Sequence, residues 1–155
     1  MVLNYLETGT LSKQDYETPP ELFIPLDIQY SFTIDAAARE DNKKVARFIS
    51  PEQDALTTEL VGETVWCNPP YANMAPWADR FIYWSKNNIV IALVQDKTDT
   101  IWFKKLWDAS DIVRFLHGRV QFIGGASDNM HGAVIFVLGL RLEERIVDIW
   151  DWRLE

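Results

Sequence analysis

The sequence contains little that would link the chain to a membrane, a metal or an oxidising compartment. Its single cysteine, Cys67, excludes an internal disulfide and a cysteine-based zinc site, and it favours a reducing compartment. No apolar run approaches the roughly 20 residues that a membrane span needs, and the first 15 residues lack the basic start and apolar block of a signal peptide. His117 and His131 have no partners at ligand spacing, so we predict no metal site. We therefore expect a cytoplasmic protein.

Basic residues are also in short supply. The net charge of −8 argues against strong nonspecific attraction to nucleic acid. The charge is unevenly distributed, because residues 1–63 carry 12 acidic and 5 basic side chains, whereas residues 64–140 carry 6 and 7. A polyanionic partner is thus disfavoured in general but is compatible with the middle of the chain.

The composition is that of a folded domain. Of the 155 residues, 48% are hydrophobic and 13% aromatic, with seven tryptophans, which is enough for one substantial core. The sequence shows no internal repeat, low-complexity stretch or linker between domains. We predict a polar N-terminal arm over residues 1–14 and a single domain over residues 15–155.

The segment TPPEL predicts the first helix. Thr18 can cap it, Pro19 suits its first turn, and Glu21 stands three positions after the cap, as a capping box requires. Pro25 is expected to end or kink this helix early.

The following segments predict a strand, a helix and a second strand. YSFTID (30–35) is β-favouring and ends at Asp35. Residues 36–48, AAAREDNKKVARF, are helix-prone, although the Asp-Asn pair at their centre can break a helix. ETVWC (63–67) predicts the next strand.

The second half of the chain alternates in the same way. Residues 75–86 are expected to be helical, and NNIVIALV (87–94) is typical of a strand buried on both faces. Thr98 or Asp99 could cap a helix that runs through Trp107. Further strands are predicted at DIVRFL (111–116), RVQFI (119–123) and AVIFVLGL (133–140).

This alternation favours an α/β fold: a three-layer α/β/α sandwich with a mostly parallel sheet. In such sheets ligands bind outside the carboxyl ends of the strands. Three polar spots fall at predicted carboxyl ends, namely Asp35, Asn68–Tyr71 and Gln95–Thr98.

The second of these spots, in the stretch WCNPPY, has the most specific chemistry. Pro69 and Pro70 fix the backbone and remove two N–H donors, so the loop is rigid before any ligand arrives. The Asn68 side-chain carbonyl and the Pro69 backbone carbonyl could then both accept from one exocyclic amino group. Tyr71 would offer a ring for stacking, worth roughly 1–3 kcal/mol per base. The loop suits a planar aminated heterocycle or amide, although a plain rigid surface turn would use the same residues.

When the segments around this loop are included, the chain resembles the phage-type family of DNA N6-adenine methyltransferases. NPPY after a strand is the catalytic motif of S-adenosylmethionine-dependent amino methyltransferases, including some that act on protein glutamine. The resemblance covers roughly residues 15–138. In chain order, its segments are YETPPELF (16–23), FTIDAAA (32–38), Asn42, DAL (54–56), VWCNPPY (65–71), Trp77, TDTIWF (98–103) and GRVQF (118–122).

The resemblance implies a minimal Rossmann-like methyltransferase that passes a methyl group from S-adenosylmethionine to N6 of a flipped-out adenine in double-stranded DNA. It makes the NPPY loop catalytic: Asn68 and the Pro69 carbonyl accept from the amino group, Pro70 stiffens the loop, and Tyr71 stacks on the base. The residues that it assigns to the cofactor are Thr18, Pro19, Asp35, Ala36, Ala37 and Asp54. It also implies a phage or prophage origin, and hence the cytoplasm of a bacterial host.

Two features depart from larger members of that class. The turn after FTID reads AAA, with no Gly-x-Gly to let the backbone approach a cofactor. We expect no separate recognition domain in 155 residues, so recognition is expected from loops such as 118–132, where Arg119 could contact a phosphate or a guanine edge. Trp77 could form a wall of the pocket, and Lys97 could contact phosphate.

Several alternatives stay open at this point. Asp35 and Asp54 could simply cap the segments that follow them, Trp77 could be a core residue, and Lys97 could lie on a solvated face. The chain could also bind DNA or a nucleotide without turnover, or methylate another amino group in RNA or in a protein glutamine.

Overall fold

A single mixed sheet organises the part of the chain that the computed structural model describes, residues 17–124 and 131–154. The predicted arm over residues 1–14 lies outside these ranges. Within them, the sheet has six strands in the order β1-β2-β3-β5-β4-β6. The strands are β1 (Ile34–Asp35), β2 (Thr64–Cys67), β3 (Ile89–Gln95), β4 (Ile112–Leu116), β5 (Ala133–Leu138) and β6 (Ile146–Trp150).

Strand direction divides the sheet into two parts. β1, β2 and β3 are parallel neighbours, so their carboxyl ends meet at one edge of the sheet. β5 lies antiparallel between β3 and β4, and β6 pairs parallel with β4. The predicted mostly parallel α/β sheet is confirmed, and the topology is compatible with a Rossmann-like methyltransferase fold.

Helices cover both faces of the sheet. The described helices are α1 (Pro20–Tyr30), α2 (Met74–Trp84) and α3 (Ile101–Ala109). α2 buries side chains at three- and four-residue spacing, among them Trp77, Phe81 and Trp84, in the same core cluster as residues of α3. α1 packs on the opposite face, in a cluster that includes Trp66. The three-layer arrangement is therefore confirmed. None of these described helices has the length and apolarity that crossing a membrane requires.

The prediction for the start of α1 was wrong. Pro19, not Thr18, is the N-cap residue, and the cap makes no side-chain hydrogen bond. Thr18 is used elsewhere, because its hydroxyl accepts a hydrogen bond from Asn68. The helix also continues through Pro25 to Tyr30, since burial of its apolar face outweighs the one backbone bond that a proline removes.

Residues 36–48 do not form the predicted helix. Instead, the Asp35 carboxylate accepts from the backbone N–H groups of Ala37 at 3.2 Å and Lys44 at 2.9 Å. The Asn42 side chain accepts from the N–H of Arg39 at 2.7 Å. These local bonds occupy backbone donors and favour a folded loop over a helix.

Four further elements differ from prediction. α3 is capped by Thr100, whose hydroxyl accepts from the N–H of Phe103 at 3.3 Å, and not by Thr98 or Asp99. Of the predicted strand RVQFI only Ile123 pairs, in an isolated antiparallel bridge with Glu17. β1 is shorter than predicted because Tyr30 belongs to α1, and β6 was not predicted.

Candidate active site

The Asn68 side chain is held at both ends of its amide. Asn68 directly follows β2, at the edge where the three parallel strands end. Its Nδ2 donates to the Thr18 hydroxyl oxygen at 3.1 Å. The Tyr71 hydroxyl lies 2.6 Å from Asn68 Oδ1 and 3.2 Å from the backbone carbonyl oxygen of Leu93. Because a phenol has one proton, it donates to one of these oxygens at a time. Both contacts restrict the orientation of the amide.

The loop that carries Asn68 is short and stiff. Pro70 has an extended backbone, with φ −65° and ψ 131°. A single 3₁₀ turn, Tyr71–Asn73, follows and runs directly into α2 at Met74. α2 anchors the far end of the loop.

The Tyr71 ring is fixed by its neighbours. It packs against the core under α2 and meets the Phe122 ring nearly edge-on, with centroids 6.4 Å apart and planes at 72°. Burial raises the pKa of the Tyr71 hydroxyl well above its ordinary value. The hydroxyl is therefore neutral at physiological pH and acts as a hydrogen-bond donor.

A small polar cleft lies beside Asn68, between the loops that leave β1 and β2. Its volume is about 20 Å³, enough for roughly one water molecule. The described residues that line it are Glu17, Thr18, Asp35, Ala37, Asn42, Lys44, Trp66 and Asn68.

Asp35 is the buried charge of this cleft. The residue is only 3% exposed, and burial raises the pKa of its carboxyl to about 6. The hydrogen bonds from the Lys44 and Ala37 N–H groups and the Lys44 charge act in the opposite direction and lower that pKa. The Lys44 ammonium forms a 2.8 Å ion pair with Glu17 in the same cleft. One cleft thus contains two carboxylates, one ammonium, a hydroxyl and two amides.

This donor set fits the amino-acid end of S-adenosylmethionine, which carries one ammonium and one carboxylate. A volume of about 20 Å³, roughly that of one water molecule, is smaller than such a group, so a molecule of that size would lie mostly outside the cleft. Among the described residues no cluster of three or more His, Cys, Asp or Glu side chains is arranged to hold a metal ion.

The other predicted cofactor residues divide into two groups. Pro19 and Ala36 are buried next to the cleft, and the N–H of Ala36 donates to the Trp66 carbonyl at 2.9 Å. Asp54 does not line the cleft. Its carboxylate caps the 3₁₀ turn Ala55–Thr57 by accepting from the N–H of Leu56 at 3.1 Å.

The predicted substrate residues lie apart from the cleft. Trp77 is 6% exposed and packs against Phe81 in the core, with ring centroids 6.1 Å apart. Lys97 lies partly exposed in the loop after β3, at the same edge of the sheet as Asn68. Arg119 is exposed, and its backbone carbonyl accepts from the Arg153 guanidinium.

Sequence reasoning missed three residues of this site: Glu17, Lys44 and Phe122. Each of them lies in the site because of a contact between distant parts of the chain. Glu17 pairs with Lys44 and with Ile123, and Phe122 reaches Tyr71. No local pattern could have identified them.

Comparisons with known proteins identify the family of the chain. A family model described as DNA N-6-adenine-methyltransferase (Dam) matches residues 7–146. The chain is 39% identical over 95 residues to the DNA N-6-adenine-methyltransferase of Haemophilus phage HP1, which covers 59% of this chain and 55% of that protein. It is 28% identical over 146 residues to the protein of the same name from Escherichia phage T1, covering 79% and 61%. The chain thus matches little more than half the length of these relatives. Because the family model matches most of its residues, the chain belongs to the DNA N-6-adenine-methyltransferase family.

Proposed function

We propose that this chain transfers a methyl group from S-adenosylmethionine to N6 of adenine in double-stranded DNA. The observation that carries the proposal is the Asn68 amide, held at the carboxyl end of β2 between Thr18 and Tyr71. Family membership supports the reaction class. We further infer that the one sheet with its helices, within residues 15–155, is the domain that carries out the transfer.

The Asn68 carbonyl is the first acceptor for the target amino group. Its oxygen has two lone pairs, and the Tyr71 hydroxyl lies 2.6 Å from it. The Pro69 carbonyl would supply the second acceptor. Hydrogen bonds to both N6 protons draw electron density onto that nitrogen, whose lone pair is otherwise delocalised into the ring. The base must leave the helix to reach these acceptors.

Tyr71 would contribute its ring and its neutral hydroxyl. The ring offers a face for the extruded base, and the raised pKa of the hydroxyl excludes it as a general base near neutral pH. Catalysis would then come from positioning and from fixed dipoles, and the proton of N6 would leave to solvent after transfer.

The cofactor would be held at the loop after β1. Asp35 and Lys44 line the cleft beside Asn68 and suit the charged amino-acid end of S-adenosylmethionine, whereas Thr18, in the same cleft, has its hydroxyl bonded to Asn68. When bound, that molecule supplies an electrophilic methyl group on a sulfonium. Asp54 stays a proposed contact to its adenine, from a position on the neighbouring turn.

DNA would approach the same edge of the sheet. We assign Lys97 and Arg119 to phosphate contacts because both are accessible in loops that follow β3 and β4. A net charge of −8 allows few such contacts. The salt dependence of binding should therefore be shallow compared with that of a basic DNA-binding domain.

The test is transfer of labelled methyl groups from S-adenosylmethionine to genomic DNA, followed by long-read detection of N6-methyladenine. Asn68→Ala should reduce transfer by about 100- to 1,000-fold, on the order expected when an oxyanion-hole-type contact is lost, with cofactor affinity nearly unchanged. The matched control is Asn87→Ala, an exposed asparagine before β3 at the opposite edge of the sheet, which should behave as wild type.

The outcomes separate the alternatives. Transfer to N6 of adenine in duplex DNA supports the proposal and also gives the target sequence. Transfer only to RNA or to a protein glutamine would instead identify another amino methyltransferase. Cofactor or DNA binding without transfer to any substrate would indicate a protein that kept the fold and lost turnover.

A further inference from the structure

We infer that Thr18 is a positioning residue, whose hydroxyl holds the Asn68 amide in the orientation that the reaction needs. This inference rests on the proposed function of Asn68. Thr18 is 2% exposed, and its Oγ1 accepts from Asn68 Nδ2 at 3.1 Å. The two residues lie 50 positions apart in the sequence, so the contact depends on the tertiary fold.

The amide needs more than one contact to keep its plane. An asparagine side chain rotates about two bonds, and one hydrogen bond at Oδ1 still permits the amide to swing about that contact. Tyr71 holds the oxygen end, and Thr18 holds the nitrogen end. Together they form an amide clamp (Thr18, Asn68 and Tyr71) that determines the direction in which the Asn68 carbonyl points.

Thr18 itself is placed by a rigid backbone. The preceding residue, Glu17, exchanges two backbone hydrogen bonds with Ile123, at 3.1 and 2.9 Å. The following residue, Pro19, is the N-cap of α1. Phe122, next to Ile123, meets the Tyr71 ring edge-on. The same bridge therefore supports both ends of the amide clamp.

This role differs from direct cofactor binding in its kinetic signature. A residue that orients Asn68 acts on the transfer step and lowers kcat at saturating cofactor. A residue whose hydroxyl binds the cofactor instead weakens cofactor affinity, and its loss is recovered when the cofactor concentration is raised.

The experiment compares two substitutions of Thr18 with a control. Thr18→Val keeps the shape and removes the hydroxyl, and it should lower kcat about tenfold while the calorimetric dissociation constant for S-adenosylmethionine changes less than twofold. Thr18→Ser restores a hydroxyl and should recover most of that loss. Thr33→Val removes a hydroxyl that bonds Glu63 at the opposite edge of the sheet, and kcat should stay within twofold of wild type.

A second readout does not depend on activity. The side-chain amide signals of Asn68 in a ¹⁵N–¹H spectrum, assigned by their loss in Asn68→Ala, should shift and exchange faster with water in Thr18→Val but not in Thr33→Val. If wild type transfers no methyl group, the proposed function fails, and these signals alone decide whether Thr18 holds the amide. Unchanged Asn68 signals in Thr18→Val overturn the inference. So does a loss of activity that saturating cofactor restores, or one that Thr18→Ser does not relieve.

Discussion

The loops that leave β1 and β2 lie side by side at one edge of the sheet, yet they are held in place by different means. The loop after β2 is stiffened covalently by Pro69 and Pro70 and passes directly into α2. The loop after β1 is held by a buried carboxylate, Asp35, which accepts from its own backbone at Ala37 and Lys44. The rigidity that the prolines give to the loop after β2 is insensitive to solution conditions. The loop after β1 is held in a way that depends on whether Asp35 is protonated.

The largest expected effect tests that proton dependence. Burial raises the pKa of Asp35 to about 6 from an ordinary value of 3.8. The folded state therefore binds the proton more readily than the unfolded state, and stability from this group is lost as pH rises from about 4 to about 6. Relative to Asp35→Asn, wild type should lose up to about 3 kcal/mol of unfolding free energy between pH 4 and pH 7. Urea unfolding across that range measures the difference.

Glu63 supplies a control, because its contribution to the free energy of unfolding changes with pH in the opposite direction to that of Asp35. Its pKa is lowered, chiefly by the hydrogen bond from Thr33 and then by Arg47, so its contribution is present above the ordinary pKa and is lost as pH falls. Glu63→Gln should therefore approach wild-type stability at low pH. A pH profile of Asp35→Asn parallel to that of wild type would show that the carboxylate does not titrate as its burial implies.

A smaller effect is expected where the two loops meet the Asn68 amide. Tyr71→Phe keeps the ring and removes the hydroxyl that reaches Asn68 and Leu93. The rate of methyl transfer should fall about tenfold, equivalent to roughly 1.4 kcal/mol of transition-state stabilisation, with unchanged cofactor affinity. Tyr83→Phe, which removes a hydroxyl bonded to Glu59 on the exposed side of α2, should leave the rate unaltered. Equal rates for Tyr71→Phe and wild type would show that the hydroxyl does not orient the amide.

The smallest expected effect concerns the prolines that stiffen the loop after β2. Pro70→Ala keeps the backbone path but increases the freedom of the unfolded chain, so the protein should lose about 0.4–1 kcal/mol of unfolding free energy. Because this loop contains no group that titrates between pH 5 and pH 7, the loss should be the same at both pH values. A loss that changes with pH would mean that the loops after β1 and β2 are not held independently. Chemical denaturation at the two pH values decides it.

The sequence patterns correctly predicted the elements whose structure depends mainly on residues close together in the sequence. β2, β3 and α2 follow from apolar runs and helical spacing. The NPPY loop was recognisable because prolines constrain the backbone wherever they stand.

The errors have a common physical cause, which is competition from tertiary contacts. Residues 36–48 have helix-forming composition, but the Asp35 carboxylate takes two of the backbone donors. Thr18 looked like a helix cap, but Asn68 occupies its hydroxyl. β6 gave no clear signal because it is an edge strand, with Ile146, Val147 and Ile149 about half to three-quarters exposed.

The bridge between Glu17 and Ile123 also has a consequence for the order of folding. Its two residues stand roughly a hundred positions apart in the sequence. Closing so long a loop carries an entropic cost that the packed sheet must offset first. During synthesis, Thr18 cannot be held against Asn68 in this way until β4 and the segment after it have emerged. The contact that holds Thr18 thus forms late, after the parallel strands β1, β2 and β3 have been synthesised.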